Sequence, residues 1–179
     1  MCIRDSLGFV RRRGGRSGSF HSSYSFKLED HPLIDDLTMG AAYSRYDLLD
    51  GGLDTEEVHL KLIEIRTHEG DRCDFSIEFE REILTAPFEI VDGIEVAAGD
   101  YRQVEFELEW SSSAKRPFFM EMEIEYGDYY LGDALKLESR IFYRPSRFVQ
   151  YQLGGDLTDA DMPVGNFEAW TGFLGFRFT

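Results

Sequence analysis

Two segments of the sequence, residues 103–110 and 118–126, alternate between acidic and apolar side chains. The first reads Gln-Val-Glu-Phe-Glu-Leu-Glu-Trp, and the second repeats the pattern with Phe119 as its one exception. Successive side chains of a β-strand point to opposite faces, so each segment forms a strand with one acidic and one apolar face. An α-helix would spread the same glutamates around its whole circumference. The pattern therefore predicts two β-strands.

The same alternation recurs along the chain from Phe20 onward and predicts about nine strands of roughly nine to eleven residues. Within the segment 57–66, the apolar positions shift register between Leu62 and Ile63. Such a shift is typical of a β-bulge, in which one extra residue is inserted into a strand. Residues 83–100 form the longest piece without alternation.

Three features favour a barrel that spans a membrane. The predicted strands have the length that a tilted strand needs to cross a bilayer, whereas strands of soluble proteins are usually shorter. The predicted connections alternate between short turns and longer loops, which lie near 47–55, 83–101, 128–132 and 156–165. Aromatic residues lie near the predicted strand ends, where interfacial girdles are expected. These residues are Trp110, Phe118, Tyr126, Tyr143, Phe148 and Trp170.

The predicted fold is all-β: an antiparallel up-and-down meander over residues 20–179 that forms part of a transmembrane β-barrel. One face of each strand contacts lipid and the other lines the lumen. The candidate lipid-facing residues are Val104, Phe106, Leu108, Trp110, Met120, Met122, Ile124, Leu135 and Leu137. The candidate lumen-lining residues are Glu105, Glu107, Glu109, Glu121, Glu123, Glu125, Lys136, Glu138 and Arg140. We expect Lys136, Arg140 and Arg102 to lie near the glutamates as their partners.

Alternation alone does not separate a membrane barrel from a soluble sheet, because the apolar face lies outside in a membrane barrel and inside in a soluble fold. In a soluble β-sandwich or small β-barrel binding module, the apolar face forms the core and the glutamates face water. A third alternative, a component of a glycan hydrolase, requires two carboxylates about 5–10 Å apart in a cleft. The regular ladder of glutamates favours a hydrated wall over catalysis, and in a pore such a wall favours cations.

Composition and motifs argue against several other functions. The formal net charge of −15 and the isoelectric point near 4.6 disfavour nucleic acid as a partner. Cys2 and Cys73 are too few for a disulfide framework. No apolar run of about 18 residues predicts a transmembrane helix. The sequence has no nucleophile elbow, phosphate-binding glycine loop or paired zinc ligands, so we predict no catalytic residue, metal or cofactor. The acidic stretch Asp156–Asp161 lacks the glycine of a calcium loop and is predicted as surface loop.

The amino-terminal residues carry two further expectations. Residues 1–6, Met-Cys-Ile-Arg-Asp-Ser, resemble a translated sequencing-adaptor scar of the kind found at the ends of metagenomic gene fragments. We therefore expect the chain to be a piece of a longer bacterial protein. Residues 7–19 contain the only basic cluster, Arg11–Arg13 and Arg16, and are predicted as a loop or the start of a strand.

Six short motifs lie in order along the chain. They are Leu7–Arg12, Pro87–Tyr101, Arg116–Pro117, Gly127–Gly132, Tyr143–Ser146 and Met162–Phe167. Together they resemble the 5916 family, a bacterial outer-membrane β-barrel domain of unknown function. The family pattern includes "G-x-F/Y-Y-x-G", "W/Y-R-P-S" and "l-P-x-G-x-F", which the last three motifs match.

The resemblance implies the outer membrane of a Gram-negative bacterium as location and membrane lipid as a partner. In that family the barrel commonly follows a family-9-type carbohydrate-binding module, which implies a role in carbohydrate binding or uptake through a module encoded upstream. The family's barrel normally continues past the last residue of this sequence. Its activity is not established, so the resemblance implies architecture and location rather than a reaction.

Overall fold

The structure, a computed structural model, describes residues 15–49, 52–91 and 93–178. These residues form eleven β-strands. In chain order the strands are β1 (Gly15–Lys27), β2 (Ile34–Leu48), β3 (Gly52–Thr67), β4 (Arg72–Leu84), β5 (Phe88–Val91), β6 (Ile94–Val96), β7 (Gly99–Ser111), β8 (Phe118–Tyr129), β9 (Gly132–Ser146), β10 (Val149–Asp161) and β11 (Phe167–Phe178). Across the described residues, no helix is long and apolar enough to cross a membrane.

Nine of the strands form one antiparallel sheet in the order β1-β2-β3-β4-β7-β8-β9-β10-β11, so each strand pairs with its neighbours in the chain. The two remaining strands, β5 and β6, form a separate hairpin. The predicted all-β, up-and-down meander of about nine strands is confirmed. Within the described residues β1 and β11 are the edges of the sheet, which is not closed. The transmembrane barrel therefore stays a prediction.

The strands of the main sheet are longer than predicted, at 12 to 16 residues each. Only the connection between β4 and β7, residues 85–98, is long. The prediction of longer loops near 47–55, 128–132 and 156–165 is wrong, because most of these residues continue the strands. Asp156–Asp161, predicted as surface loop, belongs to β10. Its polar residues are compatible with a strand because each lies opposite a polar residue of β9 or β11, for example Thr158 opposite Lys136 and Asp159 opposite Glu168.

The predicted bulge in β3 is confirmed. Pairing with β4 shifts between Lys61 and Ile63, which leaves Leu62 as the extra residue. A shift by one residue moves all following side chains to the opposite face. As a result Lys61 and Glu64, three residues apart, lie on the same face of the sheet.

The two faces of the sheet differ in chemistry. On the apolar face, side chains from neighbouring strands form continuous rows across the sheet. One row contains Ile63, Phe75, Leu108, Ile124, Leu137 and Leu157. No second layer covers these rows within the described part of the chain, where 9 hydrophobic residues are buried and 27 large ones are exposed.

The main buried cluster lies outside the apolar face. It contains Ile90, Ile94, Val96, Tyr101 and Met162, where the β5–β6 hairpin packs on one end of the sheet. Of the amino-terminal predictions, residues 1–6 and the first part of 7–19 lie outside the described residues. The remainder of 7–19 belongs to β1, which begins at Gly15.

Candidate functional site: the charged face of the sheet

The nine candidate lumen-lining residues lie on one face of β7, β8 and β9, which we call the charged face. The register places Glu107 opposite Glu125, and Glu125 opposite Lys136. The next row places Glu109 opposite Glu123. The nine candidate lipid-facing residues alternate with them and share the apolar face, as the period of two requires. The register thus places the two sets of residues on opposite faces of the sheet.

Lys136 is the central cation of the charged face. Its Nζ lies 3.0 Å from Oε1 of Glu105 and 2.6 Å from Oε2 of Glu125. All three side chains are about three-quarters buried. One ammonium group therefore offsets the repulsion between two carboxylates on neighbouring strands.

A second group of ion pairs lies closer to the end of the charged face where β7 ends and β8 begins. Arg72 of β4 contacts Glu109, and Arg140 contacts Glu138. Between these pairs is an open cavity of about 200 Å³. Its lining consists of Arg72, Glu109, Trp110, Ser111, Glu121, Met122, Glu123, Glu138 and Arg140. The cavity thus has two guanidinium groups and four carboxylates on its wall.

Sequence reasoning missed the part of the charged face that β3 and β4 contribute. Lys61 Nζ lies 2.6 Å from Oε2 of Glu64 and 2.5 Å from Oδ2 of Asp74, and both carboxylates are almost fully buried. Ser76 donates a hydrogen bond of 3.1 Å to Glu107, which joins this group to the glutamate ladder. The signal that could have found it is the bulge at Leu62, since without it Lys61 and Glu64 would face opposite sides.

The prediction that Arg102 partners the glutamates is wrong. Arg102 lies opposite Arg81, two positions from Val104, and therefore on the apolar face. Arg81 pairs with Asp100 at 2.6 Å, and Arg45 pairs with Asp47 at 2.8 Å. The apolar face thus ends in charged residues where β2 and β4 end and β7 begins.

The turns at the opposite end of the sheet are held together by one arginine. Arg116, between β7 and β8, contacts Asp71 at 2.6 Å and Glu69 at 2.5 Å, both in the turn between β3 and β4. The backbone N–H of Ser113 also donates to Asp71, at 2.8 Å. Hydrogen bonds from Arg116 and Ser113 hold the pKa of Asp71 below its usual value.

No metal or catalytic site is assigned to the charged face. In the described ranges no group of three or more His, Cys, Asp or Glu residues has an arrangement that could hold a metal ion. The central carboxylates are engaged by Lys136, Arg72 and Lys61. The arrangement forms a polar wall of net negative charge, along which water and cations are favoured over anions.

Comparison with protein-family models, with curated proteins and with solved structures found no match. The resemblance of the six motifs to the 5916 family therefore stays an expectation.

Proposed function

We propose that the sheet forms part of the wall of a bacterial outer-membrane β-barrel, with its apolar face against lipid and its charged face on a water-filled lumen. The observation that carries the proposal is the contrast between the two faces. Many side chains of the charged face form ion pairs with one another, whereas the apolar face presents rows of exposed large side chains. Uncovered apolar surface of this extent is typical of a surface that meets a membrane or another protein.

The height of the apolar face supports lipid as its environment. On β8 the apolar positions run from Phe118 to Tyr126, which is about 27 Å along the strand. At a tilt near 40° this corresponds to about 21 Å, close to the apolar band of outer-membrane barrels. On β7 the band is bounded by Arg102, where charged residues replace apolar ones.

Aromatic residues at the edges of the apolar face give further support. Where β8 and β10 begin, Phe118, Tyr143, Tyr151 and Phe176 form one row across four strands. The rings of Tyr143 and Tyr151 stack at 6.3 Å between centroids, and those of Tyr151 and Phe176 lie at 5.5 Å. Such a row fits an aromatic girdle at a membrane interface. Closure of the proposed barrel requires strand pairing along the outer edges of β1 and β11, which pair with no other strand among the described residues.

In this proposal the protein is a surface-exposed or transport-associated barrel with a lumen that favours cations. A role in carbohydrate binding or uptake through an upstream module rests on the resemblance to the 5916 family. The alternative of a soluble binding module requires another layer over the apolar face. The alternative of a glycan hydrolase requires two carboxylates free to act as acid and base.

Intrinsic fluorescence tests the proposal, because both tryptophans of the chain, Trp110 and Trp170, lie on the apolar face. The protein is refolded into phosphatidylcholine vesicles with or without brominated acyl chains. We expect brominated lipid to quench the emission strongly and aqueous acrylamide to quench it weakly. Strong quenching by acrylamide together with no quenching by brominated lipid would overturn the proposal.

A further inference from the structure

At one end of the charged face the side chains change from acidic to apolar and aromatic. On the same face as the glutamates, the positions at this end are occupied by Tyr101, Tyr129, Ala134, Ala160 and Phe167. Ala160 is fully buried and Ala134 is 5% exposed. A wall that met only water would not need this apolar platform. Its presence indicates that another part of the protein packs on it.

The β5–β6 hairpin is the part that packs there. Val96 is fully buried, and Ile90 and Ile94 are each 8% exposed. These three side chains form one cluster with Tyr101 and Met162. Burial of these aliphatic side chains stabilises the docked position of the hairpin.

Tyr130 joins the hairpin to the sheet. Its ring lies 5.4 Å from that of Phe88 on the hairpin and 5.4 Å from that of Tyr101 on β7. Its backbone N–H donates to Oε1 of Gln103 at 2.9 Å, and its hydroxyl donates to Oε2 of Glu82 at 3.2 Å. Gln103 and Glu82, each 9% exposed, are thereby removed from solvent although they belong to the charged face.

The outer surface of the hairpin is polar. Glu89 and Glu95 lie opposite each other across the hairpin, and both are exposed. Glu89 accepts a hydrogen bond of 2.6 Å from the backbone N–H of Gly93. Gly93 has a φ of 85°, a conformation that glycine adopts without strain, so the turn is built for this tight reversal. The hairpin thus buries its apolar side against the sheet and presents its acidic side to solvent.

We propose that the β5–β6 hairpin, together with Tyr130, is a resident cap that covers this end of the charged face and narrows the path of solutes along it. The cap covers Glu82 and Gln103, so ions and small molecules that move along the charged face have to pass beside it. The route of solutes rests on the proposed barrel, whereas the shielding of the charged face does not. The acidic outer surface of the cap repels anions at the opening and attracts cations.

Cysteine labelling of the full chain tests the cap. In a background with Cys2→Ser and Cys73→Ala, a reporter cysteine replaces Glu82 under the cap. The matched control replaces Glu121 with cysteine on the same face, at the far end, where the side chain is 46% exposed. We expect a small maleimide to react at position 82 at least about tenfold more slowly than at position 121, because the cap must open first. Equal rates at the two positions would overturn the proposal.

A second variant tests whether the hairpin causes the slow labelling at position 82. Val96→Asp places a carboxylate in the buried cluster and should undock the hairpin, so labelling at position 82 should rise while labelling at position 121 stays unchanged. An unchanged rate at position 82 in a folded Val96→Asp protein would contradict the cap. If this variant does not fold by circular dichroism, a Gly-Ser linker in place of residues 87–98 gives the same comparison. Tryptophan quenching by brominated lipid in the same samples reports lipid contact separately, so failure of the cap and failure of the barrel are distinguishable.

Discussion

Lysine substitutions at two depths on one strand provide a direct test of the apolar face. Leu108 lies in the middle of the apolar row that crosses the sheet, opposite Phe75 and Ile124, and is 37% exposed. Val104 lies four residues away on the same face, about 14 Å along β7 and two residues from the charged Arg102. Leu108→Lys and Val104→Lys therefore place the same charge at different depths of the proposed bilayer.

The expected loss of stability depends on how deep in the bilayer the new charge lies. We expect Leu108→Lys to lower the free energy of unfolding by about 2–4 kcal/mol and Val104→Lys by about 0–1 kcal/mol. Glu107→Lys, next to Leu108 but on the charged face, should cost less than about 1 kcal/mol, because it adds a cation among carboxylates. The loss is measured by reversible urea unfolding in phosphatidylcholine vesicles, followed by tryptophan fluorescence.

Three results would contradict the reasoning. Losses near zero at both Leu108 and Val104 would place the apolar face in water. Equal and large losses at both positions would place it against protein, since a packed core has no gradient that follows distance from a membrane midplane. A greater loss of stability in Glu107→Lys than in Leu108→Lys would contradict the assignment of the apolar face to lipid and of the charged face to the lumen.

Three further predictions concern the ion pairs and one glycine. Lys136→Gln leaves two glutamates without their shared cation and should destabilise the fold by about 1–4 kcal/mol, whereas Lys115→Gln in an exposed turn should cost less than about 0.5 kcal/mol, both measured by urea unfolding. Asp71→Asn should destabilise the protein at pH 7. The difference should shrink as the pH falls below the usual pKa of an aspartate and be lost below the lowered pKa of the folded state, because the ionised carboxylate is the form that folding stabilises. A difference that persists unchanged at pH 2 would contradict this role. Gly127→Ala would bring the new Cβ to 2.1 Å from the backbone oxygen of Val104 and should lower the free energy of unfolding by more than about 2 kcal/mol. Gly18→Ala, whose Cβ would meet no atom within 4 Å, should leave it unchanged. Thermal unfolding of both variants measures the difference.

The sequence predicts the two faces of the sheet well, because each strand pairs with its chain neighbour and the period of two fixes which side chains lie together. Glu107, Glu125 and Lys136 could thus be grouped from alternation alone. The bulge at Leu62 was also readable, but its consequence, the placement of Lys61 beside Glu64, depends on which strands pair.

Strand ends and tertiary contacts were less predictable. The acidic stretch Asp156–Asp161 favours a surface loop, yet a strand tolerates polar residues where its neighbours are polar as well. The expectation that Arg102 lies beside the glutamates is wrong because Arg102 is two residues from Val104 and therefore shares its face. The docking of the β5–β6 hairpin depends on contacts between segments far apart in the chain. The one signal for it was the interruption of the acidic alternation at Tyr101 and Tyr129, which alone does not show what packs there.

The most direct test of the central claim compares the folding of the full chain with and without an apolar environment. Far-ultraviolet circular dichroism and sedimentation are measured in plain buffer and again in detergent micelles. Lipid contact of the apolar face predicts a native β-sheet signal and a single species only with detergent, and aggregation without it. A folded, monodisperse monomer in plain buffer would contradict the account, since the apolar face would then be stable without lipid.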